Sequence, residues 1–109
     1  MGITKTEHFT EEQNEISSLL KALAHPARIA IVEYLLSVDT CICNDIVAEI
    51  GLAQATVSQH LKELKNAEII QGTIEGKAIC YCINPKTFKK MEHFIGQIFY
   101  KIDQQNNCC

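Results

Sequence analysis

Between Asp45 and Leu64 the chain reads Asp-Ile-Val-Ala-Glu-Ile-Gly-Leu-Ala-Gln-Ala-Thr-Val-Ser-Gln-His-Leu-Lys-Glu-Leu, two short helical patterns hinged at a glycine. Ile46, Val47 and Ile50 form the apolar face of the first, and Gly51 suits the left-handed conformation that ends it. Val57, Leu61 and Leu64 recur at helical spacing in the second, which turns Gln54, Ala55, Ser58, Gln59 and Lys62 outward. Amide and hydroxyl groups suit base edges and an ammonium suits phosphate. The stretch therefore has the pattern of a helix-turn-helix whose second helix reads a major groove of double-stranded DNA. An ordinary helical hairpin with a solvated face is the competing reading, and the flanking sequence decides between them.

Upstream, Thr10 followed by Gln13 fits a capping box, and Ile16, Leu19, Leu20 and Leu23 make a first amphipathic helix behind a loose arm, residues 1–9. His25-Pro26 opens a second helix with proline at its first position; Ile29, Ile31, Val32, Leu35, Leu36 and Val38 make it apolar nearly all round, so it is expected to be the central buried helix. Ser37 to Thr40 breaks it. Downstream, Glu68 to Ile83 changes to strand character, with Ile70, Ile74, Ile79, Tyr81 and Ile83 flanking the turn Glu75-Gly76: a β-hairpin, or wing. Asn84-Pro85 opens a last helix that runs to about Gln104, where Phe88, Met91, Ile95, Ile98 and Ile102 form a heptad seam. Phe94 and Phe99 widen that seam beyond what one small core uses, which points to a homodimer with the first and last helices at its interface. The expected fold is mainly α (α+β): a winged helix-turn-helix of about five helices and a two-stranded wing, one domain over residues 1–109 with a polar tail from 104 to 109.

The composition bounds where such a domain works. No apolar run approaches a membrane span and the polar start does not resemble a signal peptide, so a cytoplasmic protein that touches no membrane is expected. There the six cysteines are expected mainly as thiols rather than as a disulfide framework. They form three close pairs: Cys41/Cys43, Cys80/Cys82 and Cys108/Cys109. The net charge of −3 argues against a nonspecific nucleic-acid coat while leaving room for a locally basic reading face.

From Lys21 to Pro85 the sequence resembles the ArsR/SmtB family of metal-sensing repressors. The phrases that carry the resemblance are Lys-Ala-Leu-Ala-His-Pro-Ala-Arg-Ile, Thr-Val-Ser-Gln-His-Leu-Lys-Glu-Leu, and Glu-Gly-Lys before Cys-Tyr-Cys-Ile-Asn-Pro. It implies a dimeric repressor that leaves its operator DNA when it binds an inducer. By position it makes Gln54, Ala55, Thr56, Ser58, Gln59 and His60 candidate base or backbone contacts, and Lys62, Lys65 and the wing residue Lys77 candidates for phosphate. His60 also fits an edge of the core. Ala53 departs from the family, which usually has a Ser or Thr capping this helix. The family's His-and-carboxylate zinc site on the last helix looks absent, since only Glu92, His93 and Asp103 are offered. His25 reads as a helix-start residue rather than a ligand.

Arsenic-responsive members carry a Cys-x-Cys followed by Asp just before the helix-turn-helix; here the phrase is Cys-Ile-Cys-Asn-Asp, one residue longer. Two thiols that close can converge on one soft ion, and a helix N-terminus favours the thiolate. Trivalent arsenic prefers three, so Cys108 and Cys109 on the tail are candidates for the third ligand, or they belong to a functionless tail. Cys80 and Cys82 alternate with Ile79, Tyr81 and Ile83; if those three face the core, the two thiols share the outer face of the hairpin, as a second soft-ion site or as plain strand residues. The leading expectation is a repressor with no obligatory cofactor, released by As(III) or another thiophilic ion. The alternatives sense cadmium, lead or zinc through the same thiols, or oxidants and persulfides by linking Cys41 or Cys43 to the tail. An enzyme of the arsenate-reductase kind is disfavoured: its Cys-x5-Arg loop needs an arginine where Val47 and Glu49 stand. A winged helix that binds only partner proteins would lack the polar face at 54–62.

Overall fold

The computed structural model describes residues 8–38, 41–42, 46–76 and 78–105. In chain order the elements are α1 (Glu11–Leu23), α2 (Pro26–Leu36), α3 (Ile46–Ile50), α4 (Gln54–Asn66), β1 (Ile70–Glu75), β2 (Ala78–Ile83) and α5 (Pro85–Gln104). Among the described residues, five helices and one antiparallel hairpin make the winged helix-turn-helix that the patterning predicts.

Helix starts follow local capping chemistry. Thr10 Oγ1 accepts from the Gln13 N–H and Gln13 Oε1 accepts from the Thr10 N–H, each at 3.0 Å, closing the box at the head of α1. His25 Nδ1 accepts from the Ala27 N–H at 3.0 Å, and Asn84 Oδ1 from the Lys86 N–H at 3.2 Å, each ahead of a proline at the first turn. Gly51 ends α3 at φ +80° and Gly76 turns the wing at φ +64°, both left-handed as expected.

The core gathers Ile16 and Leu19 of α1, Ile31, Val32 and Leu35 of α2, Ile46 of α3, Val57, Leu61 and Leu64 of α4, Ile69 and Ile70 at the wing base and Met91 of α5. Burying each such side chain stabilises the fold by about 1.5–3 kcal/mol. The second helix departs from its expected full burial. Ile29 and Leu36 stay 44% and 65% exposed, on the side of α2 that its neighbours α1, α3, α4 and β2 leave uncovered.

The wing pairs Ile70 with Ile83 at its base and Ile74 with Ile79 near its tip. Ile42 adds an isolated bridge to Tyr81, so the segment leading into the helix-turn-helix lies along the free edge of β2. This overturns the expected facing of β2. Cys80 is completely enclosed, whereas Ile79 is 43% exposed out where the hairpin extends beyond the core. Tyr81 and Ile83 remain half-buried against the core, so β2 is covered on both faces at its base.

Candidate nucleic-acid interface and thiol pair

The helix-turn-helix presents α4 with a sharp division of faces. Val57, His60, Leu61 and Leu64 are buried, while Gln54, Ala55, Thr56, Ser58, Gln59, Lys62 and Lys65 are exposed. Ala53 offers no side-chain hydrogen bond at the N-cap, which leaves first-turn N–H groups open to solvent or to an anion. Gln59 Nε2 donates to Glu63 Oε2 at 3.0 Å, one turn along, so this exposed amide is held by a neighbouring carboxylate. Lys65 crosses the wing strand: a Cβ built on Gly72 would meet its Cε and Nζ, both at 3.4 Å. Lys77 lies outside the described residues.

His60, a candidate contact from sequence, points inward. Its Nδ1 accepts from Arg28 Nε at 3.0 Å, and Arg28 Nη1 donates to the Ala22 carbonyl, also at 3.0 Å. The guanidinium thereby ties the end of α1 and the body of α2 to α4. Burial is the main cause that lowers the His60 pKa below its ordinary value, followed by the neighbouring His25, whose ring centroid is 4.4 Å away, and by Arg28. A ring nitrogen that accepts this bond carries no proton, so the imidazole is neutral with its hydrogen on Nε2.

Among the described residues, Cys41 and Cys82 make a contact that spacing does not reveal. They are disulfide-bonded, with Cα atoms 4.6 Å apart. The pairing differs from the free thiols expected, and from the grouping of Cys41 with Cys43 and of Cys80 with Cys82. Its cause is the Ile42–Tyr81 bridge, which aligns the two Cys-containing segments side by side. Cys43, Cys108 and Cys109 lie outside the described residues. Among the described residues no group of three or more His, Cys, Asp or Glu side chains is gathered to hold a metal ion, and no helix is long and apolar enough to cross a membrane.

Comparison with known proteins supplies the context for this geometry. The family described as "Bacterial regulatory protein, arsR family" matches residues 25–71, from the cap of α2 to the first residues of β1. The solved structure of the cadmium metal-sensor CmtR from Mycobacterium tuberculosis is 32% identical; the match covers 62% of this chain and 70% of that one, with a TM-score of 0.52. The chain belongs to the ArsR family. Another relative is the transcriptional repressor SmtB of Mycobacterium tuberculosis, 43% identical over 58% of this chain. The match takes in 46% of SmtB, so the chain spans about half the length of that curated relative. An ArsR-like regulator from Rhodococcus sp. RHA1 has the same fold, with a TM-score of 0.72 at 18% identity over 87% of this chain and 89% of its own. The stretch matched as ArsR-family holds Arg28, Cys41 and the whole of α4; Cys82 and α5 lie beyond it.

Proposed function

We propose that this ArsR-family chain is a homodimeric, DNA-binding transcriptional repressor. It leaves its operator when trivalent arsenic or a similarly thiophilic ion is taken up by cysteine thiolates. The observation that carries the DNA-binding part is α4 itself: an exposed run of hydrogen-bonding and basic side chains on a helix whose back is anchored in the core. Gln54, Ala55, Thr56, Ser58 and Gln59 contact bases or the adjacent backbone in this reading, and Lys62, Lys65 and Lys77 neutralise phosphates. The partner subunit presents a second copy of the helix to the next major groove.

Thiols beside the DNA-reading unit support a soft inducer, and one relative is named as a cadmium metal-sensor. Cys41 and Cys43 are the first ligands in this reading, with a third thiolate from Cys108 or Cys109. An ion that binds the released conformation better by a few kcal/mol is enough to empty the operator. The protein works as a regulator rather than an enzyme, in the cytoplasm where its DNA is. A second reading, release by oxidants or persulfides, draws on the Cys41–Cys82 disulfide, since disulfides in reducing compartments are mostly transient and regulatory.

Fluorescence anisotropy with a labelled operator and the reduced protein tests both. As(III), Cd(II), Pb(II), Zn(II) and a hydroperoxide are added in turn. Release by a soft ion under reducing conditions supports the leading reading; release by the hydroperoxide alone replaces it with the second. Gln59→Ala is expected to reduce the preference for operator over random DNA, while Lys62→Ala weakens both and lowers the salt slope by about one. A protein with no operator preference in any of these conditions overturns the DNA-binding assignment itself.

A further inference from the structure

The bond between Cys41 and Cys82 joins the lead into the helix-turn-helix to the second strand of the wing, and the backbone, not the bond, brings the two sulfurs together. Ile42 and Tyr81 exchange both of their backbone hydrogen bonds, each 2.8 Å long. Theirs is thus a hydrogen-bonded pair of an antiparallel ladder, and the pair beside it, Cys41 with Cys82, is of the other kind. In such non-hydrogen-bonded pairs the Cα atoms draw to about 4.5 Å and the side chains come closest, in agreement with the 4.6 Å found here. The two hydrogen bonds of Ile42 and Tyr81 thus set the register that places Cys41 directly opposite Cys82. Both residues are half-buried and open to a small reagent, unlike the enclosed Cys80.

We propose that Cys41 and Cys82, once reduced, form a two-thiolate site for a soft thiophilic centre that two sulfurs satisfy, such as a monosubstituted trivalent arsenical. The biological use of this site rests on the repressor reading above. It changes the ligand set, because the partner of Cys41 comes from the wing rather than from the tail. A dithiol reductant opens the disulfide by giving up two hydrogens and closing into its own disulfide. Phenylarsine oxide, the probe chosen, then forms two As–S bonds, and its oxygen leaves with the two thiol protons as one water. Arsenic stays trivalent and no electrons change hands.

The experiment uses the whole 109-residue chain, reduced, with one equivalent of phenylarsine oxide. Alkylation rates at each cysteine are followed by peptide mass spectrometry, with and without the probe, under native conditions. The rates at Cys41 and Cys82 are expected to fall together by at least about tenfold, with little change at Cys108 and Cys109. Protection of Cys108 with Cys109, or of Cys41 without Cys82, overturns the site. Cys82→Ser, provided that its circular dichroism matches the parent, is expected to weaken probe binding about tenfold or more, while the double Cys108→Ser, Cys109→Ser chain binds as the parent does. An unchanged affinity in folded Cys82→Ser also overturns it. Operator release in the same samples separates the two ideas: protection of Cys41 and Cys82 without release leaves the site standing and removes its role as inducer site, whereas release with protection elsewhere does the reverse.

Discussion

At the scale of single residues, His60 shows how a polar group can be built into the core-facing side of α4. Its spacing from Val57 and Leu64, three and four residues, is core spacing, so an inward ring was legible in the sequence. What makes the burial tolerable was not legible, because the hydrogen bond comes from Arg28, which lies 32 residues earlier on another helix. The same limit applies to Cys80 and Cys82. Strand alternation alone placed them outward, and only the distant pairing of Ile42 with Tyr81 puts Cys82 beside Cys41. The His60 environment makes stability depend on pH in a definite direction. Folding lowers the proton affinity of this imidazole, so as pH drops through the ordinary value of 6.5 the unfolded chain takes up the proton first. Stability is unaffected by this group well above pH 6.5 and is lost as pH falls from there toward the lower folded pKa. Urea midpoints from pH 8 to pH 5 are expected to decline for the parent chain, with a flatter acid limb for His60→Gln, whose amide does not titrate. Equal slopes in the two chains would show that His60 keeps the same proton affinity on folding.

At the scale of elements, most of the fold was written in local signals. The capping box of α1, the proline-led starts of α2 and α5, the glycine between α3 and α4 and the Gly76 turn each rest on residues within four positions of one another. The absence of a cap at Ala53 was equally local. The exit from α4 was less obvious. The Ile69 N–H bonds to the Leu64 carbonyl at 3.0 Å and the Glu68 N–H to the Lys65 carbonyl at 2.9 Å, which is the Schellman pattern. The position that must be left-handed in that motif is occupied here by Glu68, at φ +62°, where glycine is the usual choice. The Thr87 hydroxyl donates to the Glu68 carbonyl at 2.5 Å and so pins the turn against the start of α5. Since the exposed Glu68 side chain contributes no burial, Glu68→Gly is expected to relieve backbone strain and raise stability by about 1 kcal/mol. Thermal melts of the two chains at matched concentration check this. A loss of stability would mean that the Glu68 side chain contributes more at this turn than its backbone strain costs.

At the scale of the whole molecule, the chain is longer than a single small core requires. Its radius of gyration is 16.8 Å, against about 13 Å for a compact chain of this length. The longest described element is α5, which at 20 residues reaches about 30 Å. Its first half is spent on its own domain: Thr87 and Met91 are buried, and Phe88, Phe94 and Ile95 are half-buried. Beyond them Ile98, Phe99 and Ile102 are 46%, 62% and 56% exposed, and Leu20 of α1 is 46% exposed. Leu20, Leu23, Phe88, Met91, Ile95 and Phe99, together with Glu92 and Gly96, line one largely apolar groove between the two helices. A lone domain gains nothing from this stripe, whereas a twofold partner covering it with the same stripe completes a second core. The proposed dimer therefore predicts that two charges placed along one helix fail in different ways. Met91→Glu buries a carboxylate within the domain's own core and is expected to unfold the chain, with loss of its helical circular dichroism. Ile98→Glu places the carboxylate beyond that core, and the expected product is a folded monomer, read by light scattering after size exclusion. Because one reading helix contacts only one half-site, that monomer is also expected to bind a twofold operator far more weakly than the parent, with the loss growing as protein concentration falls. If Ile98→Glu instead remains a dimer of unchanged stability, the exposed half of α5 faces something other than a second copy of the chain.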